Sequence, residues 1–85
     1  MNFKNLKIGA SLIVIGNIEI DAGTWDNIKN FAVDFLQRRF RLQKHDVRDF
    51  LMDLTRQRGM TEDKLKDILT NKKTLSDEFK AWQAA

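Results

Sequence analysis

The densest chemistry in the sequence is cationic: Arg38-Arg39-Phe40-Arg41, followed by Lys44, His45 and Arg48. Between positions 37 and 48 there are five Lys or Arg against one Asp. Guanidinium groups this close can grip phosphates through two parallel hydrogen bonds. The same residues could instead rim a protein interface, or complement the negative end of a helix dipole. Each reading stays open at this stage.

Other reactive types are sparse. His45 is the single histidine, with Asp49 one helical turn on. A general base needs such an orienting partner, but also a nucleophile and a pocket. There is no Cys and no Tyr, and Ser11 and Ser76 lie in ordinary contexts. Asp46, Asp49 and Asp53 share a helix face and could in principle hold a hard cation. The first two also suit the positive start of a helix, which is the simpler account. A lone His without Cys cannot close a zinc site within one chain. The expectation is a non-enzyme with no cofactor and no metal.

The elements that would carry these residues follow from hydrophobic rhythm, which changes once, near Thr24. Before it the pattern alternates, through Leu12-Ile13-Val14-Ile15 and Ile18-Glu19-Ile20. After it apolar residues fall three and four apart: Trp25, Ile28, Ala32, Phe35, Leu36, Phe40. The first period is that of a strand, the second that of a helix. The fold class is therefore α+β: an N-terminal β-hairpin, with a third strand if Phe3–Ile8 pairs, then three to four helices. Residues 1–85 form one domain, a hairpin layer over 1–23 and a helical part over 24–85.

Gly16-Asn17 between β-branched runs is a two-residue hairpin signal. It pairs Ile15 with Ile18, Val14 with Glu19 and Ile13 with Ile20. The four isoleucines then share the core face, and Leu12, Val14, Glu19 and Asp21 the other. Thr24 reads as the cap of a first helix that runs to about Arg41, with the arginines closing it. Asp46 reads as the cap of a second helix, with Asp49 at the box position and Gly59 at its end. Thr61 caps a third, with Met60 and Leu65 spaced as a hydrophobic staple. Asn71-Lys72-Lys73 makes a turn, and a last helix starts near Thr74 or Leu75.

Size and charge set further bounds. A chain of 85 residues buries about 60–65% of its unfolded surface. Its net stability is then about 5–10 kcal/mol. Homodimerisation would help so small a domain, and monomer and homodimer are equally open. The formal charge is +3; residues 1–23 are neutral, so all the excess lies in the helical part. Such a charge is compatible with a nucleic-acid surface without demanding one. The absence of Cys fits a reducing, cytoplasmic setting. Lys4 and Lys7 before an apolar run faintly suggest a signal segment. The run from Ile8 to Ile20 is short for a span, however, and Gly16, Asn17 and Glu19 interrupt it. No membrane partner is expected.

One string has a wider parallel. Arg56-Gln57-Arg58-Gly59-Met60-Thr61, then Leu65 and Leu69, open a stretch over 56–82 that resembles the Cro/repressor-type helix-turn-helix family. A basic stretch and Gly end one helix, an apolar residue and Thr open the next, and two leucines follow four apart. The small-residue turn of the family is replaced by Thr70-Asn71-Lys72-Lys73, and Trp82 lies about three residues late. Asp77 and Glu78 would also repel phosphate. The resemblance implies that Lys72, Lys73, Thr74, Ser76 and Lys80 face bases. It implies that Arg38, Arg39, Arg41, Lys44, Arg56 and Arg58 touch phosphates. Arg48 belongs with this basic set through the cluster described first.

Two functions follow as expectations. The leading one is a small regulatory protein binding DNA or RNA through a basic helical surface. The alternative is a protein-interaction module, an inhibitor, adaptor or assembly subunit. It would dock a protein partner through a strand edge or an aromatic helix face containing Phe31, Phe40 and Trp82.

Overall fold

The computed structural model describes residues 11–85. The strand expected over Phe3–Ile8 lies outside them. An antiparallel hairpin of β1 (Leu12–Ile15) and β2 (Ile18–Asp21) precedes α1 (Ala22–Phe40), α2 (Lys44–Thr55), α3 (Glu62–Thr70) and α4 (Lys72–Ala84). The class is α+β, as expected.

The hairpin register is the one Gly16-Asn17 dictates, with Ile15 opposite Ile18, Val14 opposite Glu19 and Ile13 opposite Ile20. Ile18 and Ile20 are buried, while Ile13 and Ile15 pack on the core margin. Leu12 and Val14 face outward, at 65% and 70% exposure. A two-residue turn fixes the register, and the period of two then sorts the faces.

Helix α1 is the hub and packs on α2, α3, α4 and β2. Its stripe of Trp25, Ile28, Ala32 and Leu36 meets Val47, Phe50, Leu51 and Leu54 of α2 in one core. Leu65, Leu69, Leu75 and Phe79 complete that core from α3 and α4. Each large side chain so buried contributes about 1.5–3 kcal/mol before entropy is counted.

Several helix ends differ from the local reading. Asp21, not Thr24, caps α1: its Oδ2 accepts the Thr24 N–H at 3.0 Å and the Thr24 hydroxyl at 3.3 Å. A carboxylate at the strand end is the better acceptor, so β2 passes into α1 without a linker. Gln43, not Asp46, is the cap position of α2; Asp46 lies in the first turn, where its Oδ2 accepts the Gln43 N–H at 3.3 Å. Asn71 caps α4, accepting the Thr74 N–H at 3.0 Å, so Lys72 and Lys73 belong to the helix rather than to a turn. Thr61 does cap α3, accepting from the Lys64 N–H at 3.2 Å.

The end of α2 is set by a distant contact. The helix stops at Thr55 and not at Gly59, which sits in the following turn with φ 80°. The hairpin tip reaches this point. Asn17 donates its backbone N–H to the Thr55 carbonyl at 3.0 Å and its side-chain amide to the Arg56 carbonyl at 2.9 Å. These donors satisfy acceptors that the helix itself leaves open. Gly16 is required here twice over. Its φ is 61°, and a Cβ would lie 2.7 Å from the Thr55 carbonyl oxygen. Thr55 is fully buried, and its hydroxyl donates to the Met52 carbonyl at 2.7 Å.

Candidate nucleic-acid interface

Periodicity along α1 places Phe31, Asp34, Phe35, Arg38 and Arg39 on one flank of its buried stripe. The packing of α4 on α1 brings Lys72 to the same flank. Together these six residues line a groove of about 330 Å³, near the small end for ligand sites. The groove thus brings Arg38 and Arg39 of one basic cluster together with Lys72 of the other.

Its charges are unequally engaged. Arg38 Nε lies 3.2 Å from Asp34 Oδ1, an exposed ion pair of adjacent turns contributing only a few tenths of a kcal/mol. Arg39 and Lys72 contact rings instead. The Arg39 guanidinium carbon is 5.5 Å from the Phe40 ring centre, and Lys72 Nζ is 6.0 Å from that of Phe35. Both distances are within cation–π range. Phe31 is 38% exposed. The groove is therefore an apolar floor with a cationic rim.

The other flank of α1 carries a second basic seam. Lys29, Asn30 and Val33 face Lys44 and Arg48 of α2 around about 280 Å³. An adjoining hollow of about 180 Å³ shares Lys29 and Arg48 and adds Trp25, Leu51 and Met52. Lys29 also pairs with Asp26 at 3.4 Å.

The remaining residues of the expected set are dispersed. Arg41 is exposed at the end of α1, with φ 55°. It is the one residue other than Gly with positive φ among those described. Arg56 ends α2 and Arg58 lies in the turn beyond it; both are exposed and line neither groove. In α4, Lys73 Nζ pairs with Asp77 at 3.3 Å, Thr74 and Ser76 are half-buried, and Lys80 is exposed. Lys72 and Lys73 occupy the first turn of α4, which has no acidic residue. Cations there oppose the helix dipole, at a cost of about 0.3–1 kcal/mol each.

Local reading missed two features of this region. Phe35 was expected only in the core stripe, yet its ring also floors the groove. The spacing of Phe31, Asp34, Phe35, Arg38 and Arg39 is the signal that reveals the face. The expected aromatic docking face is also divided. Phe40 and Trp82 are half-buried in a ring cluster with Phe50 and Phe79, with centroids 5.0–5.7 Å apart. Trp82 Nε1 donates to Asp53 Oδ2 at 2.8 Å, so Asp53 is occupied by an indole. Only Phe31 of the three stays exposed.

Among the described residues no cluster of three His, Asp or Glu is placed to hold a metal ion. His45 lies 3.4 Å from Asp46 rather than against Asp49. No helix of the described residues is long and apolar enough to cross a membrane. Comparison of the chain with protein-family models, curated proteins and solved structures finds no match.

Proposed function

We propose that the chain is a small, non-enzymatic, cytoplasmic nucleic-acid-binding or regulatory protein that works through the basic surface around α1 and the start of α4. The observation that supports this best is the convergence of Arg38, Arg39 and Lys72 on one groove. Arginine offers a planar fork to phosphate oxygens, and lysine a mobile point charge. Arg48 and Lys44 on the other flank extend the positive surface toward α2. The helix-turn-helix resemblance of 56–82 is a secondary support. Helices α3 and α4 are successive and capped, although Asn71 alone joins them.

Binding of this kind releases counterions and weakens steeply with salt. An electrophoretic shift with DNA and RNA, duplex and single-stranded, at low ionic strength tests it. Retarded bands that fade as salt rises are expected; no retardation with any of the four probes overturns the proposal.

The second reading, an interaction module, is supported by the outward Leu12 and Val14 on the two-stranded hairpin. Its simplest occupant is a second copy of the chain, since so small a domain gains stability by burying that face. Sedimentation should then show a dimer that Val14→Lys dissociates. A monomer at all concentrations removes this reading.

A further inference from the structure

Resting on the nucleic-acid reading, we infer that the groove between α1 and α4 takes an unpaired base, so that the ligand is a single strand rather than a duplex. Three observations point this way. The first is the floor. Phe31 and Phe35 stand one helical turn apart and line the groove, and Phe31 is 38% exposed. Among the described residues neither is paired with another ring, whereas Phe40, Phe50, Phe79 and Trp82 stack on one another. An accessible ring of this kind is a platform for a base face, which a duplex hides inside its stack.

The second observation is the arrangement of charge. Arg39 and Lys72 both line the groove, one from each helix, and neither is engaged by a carboxylate among the described residues. A strand whose base enters the groove would carry its flanking phosphates toward these two groups. Arg38 is held by Asp34 and contributes less. The third observation is the exposed face of α4, which a duplex-reading helix would use. There Lys73 is paired with Asp77, and Glu78 follows. That face is close to neutral, so the positive potential favours the groove over the helix surface.

The test is fluorescence anisotropy of the full chain with labelled oligothymidylate and oligouridylate of about ten nucleotides, and with a duplex of the same length. The single strands should bind about ten-fold tighter than the duplex or better. Phe31→Ala should weaken single-strand binding about ten-fold at every salt concentration, leaving the salt slope unchanged. Phe31→Trp should restore it. Arg39→Ala and Lys72→Ala should each lower the slope by about 0.7. Thymidylate and uridylate differ in both the 2′-hydroxyl and the base methyl, so either one binding above the duplex supports the inference. A duplex bound as tightly as the single strands, or a Phe31→Ala protein that binds like the parent, overturns the inference and leaves the wider proposal standing. No binding to any probe overturns both. Phe31 is exposed, and circular dichroism of each variant separates lost binding from lost folding.

Discussion

The molecule uses its aromatic residues in two opposite ways. Phe40, Phe50, Phe79 and Trp82 form a cluster at the joint of α1, α2 and α4, with ring centres 5.0–5.7 Å apart. Its one polar handle, the Trp82 indole, is satisfied by Asp53. Phe31 and Phe35 lie on the flank of α1, with cations rather than rings for neighbours. In the first group the rings satisfy one another, and burial is their use. In the second Phe31 stays exposed, while Phe35 both packs against the core and lines the groove. The contrast separates rings that the fold encloses from a ring that it leaves accessible.

The largest effect that would sharpen this contrast is expected at Phe79. The ring is fully buried and touches Phe40, Phe50 and Trp82. Phe79→Ala should cost about 3–5 kcal/mol, the range for emptying an aromatic site in a packed core. A domain of this size holds only about 5–10 kcal/mol, so the melting temperature of the variant should fall by more than about 10 °C in a thermal scan. A loss below about 0.5 kcal/mol, the reach of a surface substitution, would mean that the cluster is not part of the core.

The two groups also differ in how far local sequence reveals them. Hairpin register was legible because a two-residue Gly-Asn turn leaves one pairing that keeps Ile13, Ile15, Ile18 and Ile20 together. The Thr61 cap was legible because its acceptor and donor lie within one turn. The end of α2 was not, because it depends on Asn17 arriving from the hairpin. Nor was the start of α4, where the Asn71 amide oxygen competes with the hydroxyl of Thr74 as a cap and wins. For the groove the split is similar. Its α1 wall is written in the spacing of Phe31, Phe35, Arg38 and Arg39. Lys72 joins it only through helix packing, which no local pattern encodes.

A smaller effect is expected where the core cluster meets water. Trp82→Phe keeps one aromatic ring against Phe50 and Phe79 but removes three heavy atoms of the indole, among them the nitrogen whose N–H donates to Asp53 at 2.8 Å. Asp53 is exposed, so water can solvate the freed carboxylate and the lost bond should account for about 1 kcal/mol of the change. Urea unfolding of Trp82→Phe, Asp53→Ala and the double variant checks this. The double variant should lose little more than Trp82→Phe alone, because that change has already removed the bond that Asp53→Ala removes. Strictly additive losses would show that the two side chains do not act as a pair.

The smallest effect on stability should come from Phe31, and it bears most directly on the comparison. Truncating a residue 38% exposed leaves no enclosed cavity, and water already covers much of the ring. Phe31→Ala should therefore change the unfolding free energy measured in urea by less than about 0.5 kcal/mol, the scale of an ordinary surface substitution. Thermal stability and ligand binding would then part company: a ring whose loss the fold tolerates is expected to be felt by a base seated above it. If Phe31→Ala instead unfolds the domain as Phe79→Ala does, Phe31 belongs with the core rings. The distinction between folding and ligand-facing aromatics then disappears, because a residue that the fold cannot spare has its use in the fold.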